Sequence, residues 1–295
     1  MKMKELVVIS GKGGTGKTSV TASLAALAGR PVIADCDVDA ADLHLVLSPD
    51  IRERKDFYSG REAIIRESAC SGCGDCRRYC RFNAVQGAVT PSGRKKFFID
   101  PIACEGCGVC VRFCPERAID FQEARRGEWM VSDTRYGAMV HARLGTAAEN
   151  SGHLVFTVRK EARRIAGETG ASLIIVDGPP GIGCPVIASL TGASMVLVVT
   201  EPTVSGEHDL ERVLALARHF HIPAAVCVNK WDLNPEMAEC IEEKAGRSGV
   251  LAVGRIRYDP AVTRAQILGT PVVEMGGPVA EDIREVWKRL AMGEE

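Results

Sequence analysis

Glu5-Leu6-Val7-Val8-Ile9-Ser10 runs straight into Gly11-Lys12-Gly13-Gly14-Thr15-Gly16-Lys17-Thr18, and a helical pattern follows from Ser19 to about Ala28. The first stretch reads as a buried parallel strand. The second matches G-x-x-x-x-G-K-[ST] in the strand–loop–helix setting that the motif requires. Its glycines let backbone N–H groups curl around a phosphate, and the helix N-terminus adds the positive end of its dipole. Lys17 then belongs on the β- and γ-phosphates of a nucleotide and Thr18 on Mg²⁺. A chain that starts this way predicts an α/β fold, a doubly wound and mostly parallel sheet with helices on both faces.

Working outward, more strands end in polar residues. Pro31 to Asp35 leads into Asp35-Cys36-Asp37-Val38-Asp39, and Ser172 to Asp177 leads into Gly178-Pro179-Pro180-Gly181. Ala193 to Thr200 leads into Glu201-Pro202-Thr203, and Ala224 to Val228 into Asn229-Lys230-Trp231-Asp232. Groups at the carboxyl ends of parallel strands face the ligand crevice. The second lysine of the loop, Lys12, makes K-G-G-x-G-K-T, which resembles the deviant Walker A (SIMIBI-class) ATPases: MinD, ParA, the nitrogenase iron protein and the Mrp-type cluster carriers. That resemblance implies that Gly11 to Thr18 bind ATP with Mg²⁺ in a homodimer formed on ATP binding. Lys12 reaches the partner's phosphates, Lys17 holds those of its own subunit, and Asp37 of switch I positions water. It places Asp177 and Gly181 in switch II and Asn229 on adenine, which favours ATP over GTP although N-K-x-D is a guanine motif elsewhere. Asp35 and Asp39 read as a solvated turn.

Cys70, Cys73, Cys76 and Cys80 form C-x2-C-x2-C-x3-C, and Cys104, Cys107, Cys110 and Cys114 repeat the spacing, with Pro115 next. Zinc motifs pair two CxxC knuckles over a longer gap, and disulfides suit small secreted chains. The segment from residue 66 to 122 resembles a bacterial two-cluster ferredoxin, with Arg81 where the first motif would carry proline. In such ferredoxins the fourth cysteine of each run ligates the other cluster. The resemblance therefore implies one [4Fe–4S] cluster on Cys70, Cys73, Cys76 and Cys114, and another on Cys104, Cys107, Cys110 and Cys80. The expected domains are residues 1–56 and 127–295 for the ATPase and 57–126 for an inserted ferredoxin. Taken whole, the chain resembles MinD/Mrp-type P-loop ATPases carrying such an insertion. ATP-gated electron transfer to an acidic redox partner follows as the leading expectation. A metallocluster acceptor served by an assembly or carrier protein, and a MinD- or ParA-like positioning switch with a redox-sensing insert, are the alternatives. An insertion just after switch I would let nucleotide-driven movement there be felt at the clusters.

Composition sets outer bounds. The 295 residues have a net charge of −1, which leaves no global footprint for nucleic acid or membrane. Locally, residues 70–126 hold ten Lys/Arg against six Asp/Glu, with Arg77, Arg78 and Arg81 beside the first cysteine run. Twelve cysteines with no signal-peptide pattern point to a reducing cytoplasm. Val279 to Leu290 reads as a packing helix rather than a membrane-seeking one, because Glu281, Asp282 and Glu285 offset its bases. Val158 to Gly167 reads as a helix whose Arg159, Lys160, Arg163 and Arg164 form a solvated face, preceded by a turn at residues 149–152. Cys184, seven residues after Asp177 as in the iron protein, reads as a small packing residue over a metal ligand.

Overall fold

The structure is a computed structural model that describes residues 3–89, 95–145 and 151–290. In chain order the strands are β1 (Lys4–Ser10), β2 (Val32–Asp35), β3 (Asp50–Ile65), β4 (Val85–Val89), β5 (Lys95–Ile99), β6 (Ile119–Thr134), β7 (Gly137–Leu144), β8 (Leu173–Pro180), β9 (Met195–Thr200), β10 (Ala224–Asn229) and β11 (Leu251–Ile256). The chain divides into two units, one of residues 3–55, 128–144 and 151–290, the other of residues 56–127 with residue 145. The divisions fall inside β3 and β6.

The large sheet has the order β11-β10-β9-β1-β8-β2-β7-β6-β3. From β11 to β7 every neighbouring pair is parallel. Only Arg135 and Tyr136 separate β6 from β7, a link that antiparallel neighbours alone allow. Side chains alternate along β1: Leu6 and Val8 join a core with Val20 and Leu24 of the helix Lys17–Leu27, while Val7 and Ile9 point to the opposite face. The same core takes Val279, Ile283, Val286 and Leu290 from the C-terminal helix Pro278–Arg289, all nearly inaccessible. Each such burial contributes about 1.5–3 kcal/mol, so this helix is seated by its apolar stripe.

Residues 50–65 form a strand at the sheet edge that the sequence reading did not give; most of its residues are exposed, which hides the alternation that marks a half-buried strand. Two local readings need correction. Ser151 and Gly152, taken as part of a turn, begin the helix Ser151–Thr169, while Glu149 and Asn150 lie outside the described residues. Of the four bases Arg159, Lys160, Arg163 and Arg164 on that helix, only Lys160 and Arg164 are exposed. Arg159 is 3 % exposed, lies 2.6 Å from Glu5 Oε1 and donates to the carbonyls of Ala188 (2.6 Å) and Thr191 (2.9 Å); Arg163 donates to Glu5 Oε2 at 2.7 Å. Glu5 on a central strand draws both guanidinium groups inward, because a buried carboxylate needs charged hydrogen-bond partners.

The unit of residues 56–127 is built as two similar halves. Helix Asp75–Tyr79 starts after Gly74 and helix Val109–Arg112 after Gly108, both glycines left-handed. Gly72 and Gly106, then Asn83 and Arg117, take positive φ at matching places. Gly106 is the tightest: a Cβ there would sit 2.1 Å from the Arg61 carbonyl oxygen. β4 and β5 pair antiparallel, Val85 opposite Ile99 and Val89 opposite Lys95, and residues 90–94 between them lie outside the described residues. The small core holds Ala63, Cys76, Val85 and Ile119, with Phe97, Ile99, Phe121 and four further cysteines packed against it.

Candidate functional site: a phosphate loop ringed by carboxylates

The carboxyl ends of β1, β2, β8, β9 and β10 converge on residues 11–18. Gly16 is left-handed (φ 86°), and a Cβ there would lie 2.3 Å from Asn229 Nδ2, so no other residue fits. Asn229 in turn donates that Nδ2 to the Thr15 carbonyl at 2.7 Å. Ser10, Gly13 to Ser19, Asp37, Asp42, Pro180 and Gln266 are among the residues lining a cleft of about 460 Å³. A second pocket shares Gly14, Gly16, Ser19 and Gln266 with it and extends to Asn229, Lys230, Tyr258 and Asp259. Asn229 thus lies beside the loop, in the pocket that adjoins the cleft.

Inside the cleft one ammonium answers a group of carboxylates. Lys17 Nζ lies 2.9 Å from Asp177 Oδ1 and 3.4 Å from Asp37 Oδ2. Thr18 and Thr21 each donate to Asp177 at 2.8 Å. Burial works to lower the Lys17 pKa, but the charges of Asp177 and Asp37 outweigh it and leave it above the ordinary value. Asp37 is raised, by burial first and against the pull of Lys17. Asp35 is fully buried and raised well above the carboxylate range by burial and then by Asp177. Its Oδ1 accepts the Asp37 N–H at 3.2 Å, while Oδ2 has no hydrogen-bond partner among the described residues. Asp35 is thus no solvated turn residue, whereas Asp39 is exposed. Asp177 Oδ2 and Thr18 Oγ1 are adjacent hard oxygen donors of the kind Mg²⁺ takes. Gly181 N donates to the Ser10 carbonyl at 2.9 Å.

Lys12 sits apart from this group. Its Nζ is 2.6 Å from Glu201 Oε1, and it donates to Ser205 Oγ at 2.9 Å and Thr203 Oγ1 at 3.3 Å. The sequence reading put Glu201 and Lys230 just past strands that end at the crevice but gave neither of them, nor Thr21, a role. For Glu201 the signal was available, an acid at the carboxyl end of a buried strand. Cys184, expected to be a packing residue, is instead exposed at the start of the helix Cys184–Leu190.

The eight cysteines of residues 70–114 line two small cavities within the smaller unit. Cys70, Cys73, Cys76 and Cys114 border one. Cys80, Cys104, Cys107 and Cys110 border the other. None of the twelve cysteines is in a disulfide. Burial raises Cys76 to about 11 and also raises Cys110. Among the described residues, no group of three or more His, Cys, Asp or Glu side chains is arranged to hold a single metal ion.

The CbiA-type nucleotide-binding domain of CobQ, CobB, MinD and ParA matches residues 6–272. The chain belongs to this family. Members similar to it include the uncharacterized protein MJ0578 of Methanocaldococcus jannaschii, 32 % identical over 239 residues that cover 78 % of this chain and 79 % of the relative. The related MJ0579 is 25 % identical over 79 % of this chain and 83 % of its own length. Among solved structures, the septum site-determining protein MinD of Pyrococcus horikoshii in complex with Mg-ADP aligns at a TM-score of 0.60 and 17 % identity, covering 98 % of this chain and 96 % of that one. Apo McdA of Cyanothece aligns at 0.59 and 16 % identity over 98 % and 100 %. The fold is MinD-like, and this CobQ/CobB/MinD/ParA-family chain carries the family's nucleotide-binding domain on its P-loop sheet.

Proposed function

We propose that this MinD/ParA-like ATPase dimerises on ATP, and that its inserted unit carries two [4Fe–4S] clusters whose electron transfer to an acidic partner is gated by nucleotide state. The observation that carries the cluster reading is the division of eight cysteines into two cavities, each combining three from one run with the fourth of the other. The donor set fits: a cluster spreads four thiolates over four irons, so it makes no demand for three ligands closing on one ion. The unit of about 70 residues is also below the size at which an apolar core alone gives a stable fold, and bound metal is one of the usual supplements. When bound, such clusters store and release single electrons. Arg77, Arg78, Arg81 and Arg112 are exposed, and Arg78 lies 5.7 Å from the ring of Tyr79, which stacks on Phe113 with centroids 4.5 Å apart. Exposed guanidinium groups beside exposed rings suit an acidic partner.

On the nucleotide side, Lys17 would leave its carboxylates for the phosphates of its own subunit, Lys12 would bind those of the partner, and Asp37 would orient water. Mg²⁺, held by Thr18 and the Asp177 side, would supply charge stabilisation to the transferring phosphoryl group.

A second reading keeps the dimer cycle and makes it a positioning device with a redox-sensing insert. The likeness in fold to MinD and McdA supports it. The two separate in one experiment on anaerobically purified protein: ATPase rate with and without dithionite, with iron content and EPR spectra from the same samples. Gated transfer expects about eight irons kept through turnover and a rate that changes several-fold on reduction. Iron that stays while the rate ignores reduction sinks gating and leaves the positioning reading. Iron that departs during turnover points to a cluster carrier, and an absence of iron after anaerobic reconstitution ends every cluster reading.

A further inference from the structure

We propose that Glu201 is a positioning residue for Lys12, holding that lysine on its own subunit until two nucleotide-loaded subunits meet. This rests on the reading above, in which Lys12 acts across the dimer.

A lysine ammonium has three N–H donors and no acceptor. Here all three are engaged at once, by Glu201 Oε1, Ser205 Oγ and Thr203 Oγ1. To reach a partner's phosphates, Lys12 must give up a charge-assisted contact of 2.6 Å together with two hydroxyl acceptors. The other carboxylate oxygen, Glu201 Oε2, lies 3.1 Å from Lys230 Nζ, which also donates to the Gly14 carbonyl at 2.9 Å. Lys230 takes a left-handed backbone (φ 57°) just past β10, directing its side chain back to the loop. Burial opposes ionisation of Glu201, but the hydrogen bonds from Lys12 and Lys230 overcome it and keep the carboxyl below its ordinary range. So Glu201 stays charged and is shared between two lysines, one fixed to the loop and one due to depart.

The sharing gives the proposal a sign. A contact made only in the separate subunit opposes dimerisation by its full free energy. Removing the charge of Glu201 frees Lys12 and tightens the dimer. Removing Lys230 leaves Glu201 to Lys12 alone, which strengthens the hold and weakens the dimer. A residue that merely supported the fold would shift both variants the same way.

The test is the dimer dissociation constant by sedimentation equilibrium, with Mg²⁺ and a slowly hydrolysed ATP analogue; analogue affinity is read separately on dilute, monomeric protein. Glu201→Gln is expected to lower the dimer Kd about tenfold and Lys230→Gln to raise it about threefold, after correction for occupancy. An unchanged or weaker dimer for Glu201→Gln, or shifts of the same sign in both variants, overturns the proposal. Lys12→Ala separates the two layers. If it dimerises as well as the unaltered chain, the reading of Lys12 across the dimer fails and Glu201 has nothing to position. If it does not dimerise while Glu201→Gln behaves as the unaltered chain, only the role of Glu201 is lost.

Discussion

In the unit that carries the phosphate loop, buried ions are answered by other buried groups: Lys17 by Asp177 and Asp37, Arg159 by Glu5 and two carbonyls. The largest fully buried side chains, among them Leu6, Ile33, Ile175 and Leu197, all belong to that unit. The inserted unit buries little more than alanines, a valine, an isoleucine, a phenylalanine and Cys76, and spends its cysteines on the walls of two cavities. One unit thus contains its own stabilising partners. The other has its cohesion invested in thiols that gain most from something bound between them.

Removing an internal partner should produce the largest effect. Lys17→Ala takes the cation from Asp177 and Asp37 and from the phosphates together. Phosphate release is expected to fall by about 10²–10³-fold. Iron content of the inserted unit should not change. A loss of iron in this variant would break the contrast between the units.

Cys76→Ser attacks the other side. On the cluster reading proposed above it removes a ligand from the first cavity, so about half of the iron should be missing after reconstitution, and proteolysis within residues 56–127 should speed up. Nucleotide affinity should stay within about twofold. If iron content is unaltered, Cys76 is only a buried thiol and the cavity holds no cluster.

Arg159→Met sharpens the comparison within the ATPase unit. Breaking a buried ion pair from one side costs about 3–5 kcal/mol, because Glu5 keeps a buried charge with only Arg163 to answer it. Arg164 on the same helix pairs with Glu161 and Glu168 in solvent, and Arg164→Met should cost under about 1 kcal/mol. Urea unfolding of the two variants reads the difference, and equal losses would refute the burial argument.

Much of this was legible beforehand because it is local. The strand–loop–helix at residues 5–28, the acids Asp35 at the end of β2 and Asp177 in β8, and the two cysteine runs are each set by short spacings, and the chain puts Thr18, Asp37 and Asp177 within hydrogen-bond or ion-pair reach of Lys17. What escaped depends on distant partners. Arg159 looks like part of a basic stripe until Glu5, 154 positions away, comes beneath it. Glu201 acquires meaning only when Lys12 and Lys230 arrive from β1 and β10. The edge strand β3 is charged and exposed along most of its length, so no periodicity announces it.

The smallest expected effect concerns pH. His141 on β7 is 6 % exposed and its Nε2 lies 2.8 Å from Ser132 Oγ on β6. Burial, then the positive charges of His44, Arg54 and Arg143, push its pKa down to about 4, with Glu128 pulling the other way. The folded value thus lies below that of the unfolded chain, near 6.5. Between those values the unfolded chain binds a proton that the folded chain refuses, so stability is fully present above about pH 6.5 and declines as the pH falls towards 4. The loss is at most about 3 kcal/mol, from 1.36 kcal/mol per pH unit. Carboxylates also titrate towards the lower end of this window, so the informative quantity is a difference between chains. His141→Gln keeps a hydrogen-bond partner for Ser132 and cannot titrate. Its urea midpoint should therefore fall less than that of the unaltered chain between pH 7 and pH 4.5. Parallel curves would mean that protonated His141 is accommodated in the folded state, and that this unit's buried polar groups are less closely matched than their geometry requires.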